Sequence, residues 1–273
     1  MTPIQALKTD DLKTLHFEQN GPIATLTLHR PEVLHALNAQ MFDELEFVFT
    51  TLAADPTLRV LILTGSGDRA FAAGADIRAL SETDALSGLA VSLRGQHVFS
   101  LIASHLERSG KPVLAAINGV ALGGGCELAL ACTLRIASDN ARLGLPELKL
   151  GLIPGYGGSQ RLPRLIGPGP ALHLMLTAKV LEAPEALRLG LVTEVVPSAD
   201  LLPRAHALAE TIAAMAPLAV AGLLEAVHRG QDQSLPDALS TEAEIFGRLC
   251  GTADKQEGLT AFLAKRPPTW HNR

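Results

Sequence analysis

Two carboxylates stand out because of what surrounds them. Glu127 follows Gly123-Gly124-Gly125-Cys126, and Glu147 lies between Leu145-Pro146 and Leu148-Lys149-Leu150-Gly151. The plain reading of each is bland. Glu127 would be a helix-dipole carboxylate on the surface, and Glu147 a solvated loop charge. Their apolar, glycine-rich settings count against that. Two carboxyls brought together and buried have their pKa values pushed apart, which suits acid/base chemistry. The three glycines lead into a helix expected over Glu127–Cys132. N–H groups at a helix start lack intrahelical partners and can hold a developing anion. A third segment, Phe71-Ala72-Ala73-Gly74-Ala75-Asp76, has the small residues that let another molecule approach the backbone. By itself it reads as a tight strand-to-helix turn.

Other chemistries fail on spacing. In Gly155-Tyr156-Gly157-Gly158-Ser159-Gln160 a dinucleotide fingerprint requires glycine where Gln160 stands. A nucleophile elbow requires glycine where Arg161 stands. Nine histidines are scattered without an HExxH or a Cys/His cluster, so no metal site is expected. Cys126 reads as a small core cysteine rather than a nucleophile, since no histidine neighbours it.

The elements that must position these groups alternate along the first half. Strands are expected at Ile23–Leu28, Val60–Thr64 and Val113–Ile117. Asn38 caps a helix whose Met41, Phe42, Leu45, Val48, Phe49 and Leu52 share a face. A second helical stretch covers roughly Ser81–Leu106. This alternation predicts α/β architecture. From Leu201 the pattern is helical, punctuated by Pro203, Pro217 and Pro236, with a last helix within Glu257–Trp270. A soft boundary therefore falls near residue 200, separating a core over 1–200 from a helical region over 201–273.

Composition narrows the role. With 47% hydrophobic and 19% charged residues, the 273-residue chain can bury a sizeable core. The net charge of -5 and the lack of a basic run disfavour nucleic acid as a partner. Met1–Gln19 has no apolar leader pattern. Leu201–Val227 is apolar but broken by Arg204, His206, Glu210 and Pro217, so a buried or subunit-facing helix pair is expected rather than a membrane span. Three cysteines without a CxxC pair suit a reducing cytoplasm.

Several ordered runs together resemble the crotonase, or enoyl-CoA hydratase/isomerase, family. They are Phe71–Ile77, Ile117–Leu128, Pro146–Glu147, Gly151–Leu162, Ala183–Pro197 and Gly258–Pro268, and the likeness extends from about His16. The resemblance implies a spiral core of ββα turns, a helical C-terminal region that serves oligomerisation and completes the CoA site, and a homotrimer or dimer of trimers. Glu127 and Glu147 match the two glutamates of true hydratases, whereas many isomerases lack the former. Backbone N–H groups of Ala73 and Gly124 are implied to form an oxyanion hole. His35, Ala36, Leu37, Ala73, Gly74, Ala75, Asp76, Ile77, Gly155, Phe262 and Lys265 are the implied substrate contacts. The chain departs from many relatives at Glu32, where they carry Lys, and at His35, where they carry Asn.

The implied reaction is addition of water to a 2-enoyl-CoA. Attack at C3 moves charge onto the thioester oxygen, where fixed donors can meet it. CoA arrives with the substrate, so no separate cofactor is expected. The rivals are an enoyl-CoA isomerase and a non-catalytic CoA- or RNA-binding member of the same family.

Overall fold

The computed structural model describes residues 12–273. The expectation of no leader therefore falls largely outside the described residues. The chain opens with a hairpin, β1 (Leu15–Asn20) and β2 (Ile23–Leu28), turned at Gly21. Helix α1 (Ala39–Ala53) follows, and the Asn38 side chain accepts the Met41 N–H as expected of its cap.

Three strand pairs then repeat one theme. Strand β3 (Val60–Gly65) leads to β4 (Ala70–Ala72) and the helices α2 (Ile77–Ser81) and α3 (Ala85–Leu101). Strand β5 (Val113–Ile117) leads to β6 (Val120–Leu122) and helix α4 (Gly124–Ala131). Strand β7 (Leu134–Ser138) leads to β8 (Arg142–Gly144), then α5 (Gly158–Ile166) and α6 (Pro168–Thr177). Each turn lays one strand in a large sheet and one in a small sheet before adding helix. Two short strands close the edges: β9 (Leu181–Glu182), followed by α7 (Ala183–Arg188), and β10 (Glu194–Val196). The large sheet has the order β1-β2-β3-β5-β7-β10 and the small one β4-β6-β8-β9. All pairings are parallel except β1 with β2 and β8 with β9. This is the expected spiral of ββα turns.

Every residue of β3 is buried because both faces are covered. Leu61 and Leu63 face the main core inside the spiral, with Phe71, Ala115, Ile117 and Leu143. Val60 and Ile62 face outward, where helix α8 (Leu201–Ala213) covers them with Leu201, Ala205 and Ala209. Helix α8 is part of the sheet's packing, and the outer helical layer begins at α9 (Pro217–Gly230), followed by α10 (Leu235–Cys250) and α11 (Ala253–Leu263).

The helical stretch expected over Ser81–Leu106 is divided. Asp84 forms a capping box with Ser87 and starts α3 afresh, and a wider π turn over Ile102–Leu106 ends it. Strand β1 was not anticipated, although Leu15 and Phe17 alternate with the exposed His16. Among the described residues, no single helix is long and apolar enough to cross a membrane.

Candidate active site

Helix α4 carries Glu127 and must start against the small sheet. The chain leaves β6 through Gly123, at φ +50°, a conformation that glycine adopts freely. Gly125 has no room for a side chain, because a Cβ there would lie 2.0 Å from the Ala72 carbonyl oxygen. The helix begins three residues before its expected start, which keeps Glu127 in its first turn. The Gly124 N–H has no partner among the described residues.

Glu127 is 1% exposed. Its Oε1 accepts the backbone N–H groups of Tyr156 and Gly158, each at 2.7 Å. Burial pushes its carboxyl up to about 7; the charge of Glu147 adds to the rise and the two N–H donors oppose it. Glu147 opens a single 3-10 turn, Glu147–Leu150, after Pro146. Both its carboxylate oxygens are shielded from solvent and have no hydrogen-bond partner among the described residues. Burial raises this carboxyl too. A Cβ on Gly123 would lie 3.1 Å from Glu147 Oε1, and one on Gly158 would lie 3.0 Å from Glu127 Oε1. The glycines thus let backbone come close to both acids.

The loop after β4 lies opposite. Gly74, at φ +119°, comes so near Gly124 that its missing Cβ would sit 3.9 Å from the Gly124 nitrogen. Here one expectation is corrected. The Ala73 N–H donates to the Leu34 carbonyl at 2.9 Å and is not free to meet an oxyanion. Leu37 pairs with Ala75 as in a parallel bridge: the Leu37 N–H donates to Gly74 O and the Asp76 N–H to Leu37 O. In extended backbone successive peptide groups point to opposite sides. The intervening N–H of Ala75 therefore turns away from Leu37, and it has no partner among the described residues.

A cavity of about 980 Å³ joins these groups. Its walls include Ala73, Gly74, Ala75, Ile77, Gly124, Glu127, Glu147 and Gly155, with Leu80, Val91, Leu152 and Ile153 supplying apolar surface. Six expected contacts are not on those walls. The His35 ring is 2% exposed and held between the Arg30 N–H, which donates to Nδ1, and the Ser66 carbonyl, which lies 3.0 Å from Nε2. Ala36 O accepts from the Arg30 guanidinium, and Leu37 is buried beneath Gly124. Asp76 caps α2 and pairs with Arg30 at 3.3 Å. Phe262 is 81% exposed at the end of α11, with Lys265 just beyond it.

Tyr156 and Gly158, which hold Glu127, were missed as functional positions. The clue was the Gly157-Gly158 pair at the start of α5, where free N–H groups are expected. Cys126 is 1% exposed, and burial beside the two glutamates pushes its thiol up to about 12, which fits a core cysteine.

Comparison with known proteins identifies the family. The sequence profile described as "Enoyl-CoA hydratase/isomerase" matches residues 18–273. The short-chain-enoyl-CoA hydratase of Clostridium acetobutylicum is 43% identical over 256 residues, spanning 94% of this chain and 97% of that one. The crotonyl-CoA hydratase of Syntrophomonas wolfei is 45% identical over 249 residues, spanning 91% and 94%. The crystal structure of an enoyl-CoA hydratase from Bacillus anthracis superposes with a TM-score of 0.91 at 37% identity, covering 96% of this chain and 100% of that one. With a profile match over most of its length and relatives this similar, the chain belongs to the enoyl-CoA hydratase/isomerase family.

Proposed function

We propose that this protein is an enoyl-CoA hydratase, a lyase that reversibly adds water to a trans-2-enoyl-CoA to give the 3-hydroxyacyl-CoA. The observation that carries the reading is the unlike pair of buried carboxyls on one cavity, Glu127 held by two N–H groups and Glu147 with both oxygens free. A water between them loses its proton to one carboxylate as its oxygen bonds to C3. The other carboxyl gives a proton to C2. The C=C π bond breaks, and the charge passing through the thioester oxygen is met by fixed donors. We assign those donors to the N–H groups of Gly124 and Ala75. The reaction is redox-neutral, so carboxylates and N–H donors suffice without a cofactor beyond the CoA the substrate carries.

An isomerase needs only one carboxylate to move a double bond, so the second shielded carboxylate, that of Glu147, favours hydration. We further propose a homotrimer or dimer of trimers built on the outer helices, with Phe262 and Lys265 reaching a ligand bound to a neighbouring protomer. Free cysteines suit a reducing compartment such as the cytoplasm.

The test is turnover of crotonyl-CoA by Glu127→Gln and Glu147→Gln. Each is expected to lose roughly 10²–10⁴-fold in hydration rate with the fold intact. Near-normal turnover in either folded variant overturns that residue's role. Bond migration without hydration in the unaltered protein overturns the hydratase reading.

A further inference from the structure

The Tyr156 ring is 5% exposed and stands edge-on to Phe42 and Phe99, with centroids 5.3 and 5.8 Å away. Two glycines leave the space it fills. A Cβ on Gly95, within α3, would lie 2.2 Å from Tyr156 Cδ1, and one on Gly124 would lie 3.0 Å from Cε2. The backbone of the same residue is also committed. Its N–H donates to Glu127 Oε1 at 2.7 Å, and its carbonyl accepts from Arg161 at 2.8 Å. Tyr156 thus touches the start of α4 with its ring and holds Glu127 with its N–H.

We propose that Tyr156 is a positioning residue whose ring, seated in the notch left by Gly95, fixes the Tyr156–Gly158 turn and so sets Glu127 relative to the Gly124 N–H. The proposal rests on the hydratase reading for the roles of those two groups. Its physical basis is the glycine content around the turn. Gly155, Gly157 and Gly158 give this backbone wide freedom, and a wedged aromatic ring removes it. A misplacement of about 1 Å in such a constellation can cost on the order of 10²-fold in rate.

The experiment compares Tyr156→Phe, Tyr156→Ala, Gly95→Ala and the double variant Gly95→Ala/Tyr156→Ala as whole folded proteins. Gly95 lies behind the ring and off the cavity wall, and the three atoms nearest an added Cβ there all belong to the Tyr156 ring. One readout is the titration of Glu127, followed by NMR of carboxyl-labelled glutamate and assigned with Glu127→Gln. The other is kcat and KM for crotonyl-CoA across pH. Tyr156→Phe, which keeps the ring, should leave the Glu127 titration midpoint unmoved. Tyr156→Ala and Gly95→Ala should each raise the Glu127 titration midpoint, because loosened N–H donors no longer favour the carboxylate. Each should also lower kcat by about tenfold or more while changing KM little. The double variant should be no worse than Tyr156→Ala, since no ring remains for the new methyl to strike. An unmoved Glu127 midpoint in folded Tyr156→Ala overturns the proposal, as does a Gly95→Ala effect that adds in full to Tyr156→Ala. Tyr156→Leu carries the same comparison if Tyr156→Ala does not fold. The NMR titration needs no turnover, so failure of the unaltered protein to hydrate crotonyl-CoA counts against the hydratase reading and not against the wedge.

Discussion

Glu127 and Glu147 are the same side chain in two environments: the first accepts two N–H groups, and the second has no hydrogen-bond partner among the described residues. Glu127 has two N–H donors that favour its charge, yet deeper burial keeps its pKa at about 7 against an ordinary 4.5. A carboxyl whose folded pKa is raised binds its proton more tightly in the native than in the unfolded state. Its contribution to stability is therefore greatest below the unfolded value and falls as pH rises from about 4.5 to about 7. Glu127→Gln should remove that slope, raising Tm relative to the unaltered protein above neutral pH and changing it little in acid. Thermal melts across pH that keep the full slope would contradict the assignment. Glu147→Gln should lower the Glu127 midpoint, because the neighbouring charge contributes to its rise. The acid pair was legible in the sequence, because glycine and apolar neighbours are written beside both residues. The proposed donor partner of Gly124 was not. Choosing Ala75 over Ala73 depends on which N–H groups the Leu34–Leu37 segment consumes, and that segment lies far away in the chain.

The start of α4 is an element whose position is set by what its glycines allow. Gly125 and Gly119 face backbone directly: a Cβ on Gly119 would lie 2.4 Å from the carbonyl group of Arg69. Gly119→Ala is therefore expected to disturb the fold. At Gly124 a Cβ meets side chains instead, Tyr156 at 3.0 Å and Leu37 at 3.2 Å. Gly124→Val should fold, as judged by circular dichroism, yet lose about 2.7–4 kcal/mol of transition-state stabilisation in steady-state kinetics. Gly169 in α6 faces open space, so Gly169→Ala should retain full kcat and near-normal stability. Wild-type kcat in folded Gly124→Val would remove its role as a donor. Strands β3 and β5 were legible because buried parallel strands are nearly continuous runs of aliphatic residues, and β2 because its apolar residues alternate with half-buried Thr25 and Thr27. The hairpin partner β1 was harder, since Leu15 and Phe17 are separated by polar residues and its strand length is set by pairing with β2. The break before α3 was written in Asp84 and Ser87, a capping box in which serine takes the place of the usual Glu or Gln.

At the scale of the molecule, the apolar stretch over Leu201–Val227 has two fates. Helix α8 is spent on the sheet, while α9 turns from it by 103° and leaves Leu223 and Val227 exposed. Leu235, Leu239 and Phe246 on α10 and Leu259 and Leu263 on α11 extend the exposed apolar surface. Surface of this kind marks an interaction site. Sedimentation should find a trimer or hexamer at micromolar protein, with interfaces of about 2,000–5,000 Å². Phe246→Asp should weaken the assembly. A monomer in the unaltered protein would contradict the proposed quaternary structure. Hydropathy marked this stretch as hidden from water, but only the sheet's uncovered face shows which half the protomer hides itself.

The burial of Cys126 has a consequence for chemical durability. A conjugated enoyl thioester is a Michael acceptor, and a thiolate in the path of its C3 would add to it. The thiol next to Glu127 is fully enclosed and keeps its proton up to about pH 12. Its sulfur is therefore neither charged nor presented to the electrophile that the neighbouring carboxyl would help to transform. Cys132 is sequestered in the same way, and Cys250 on α10 is left as the exposed thiol. An enzyme of this kind can hold a reactive electrophile in its cavity at every turnover with no cysteine on the cavity wall to be titrated by it.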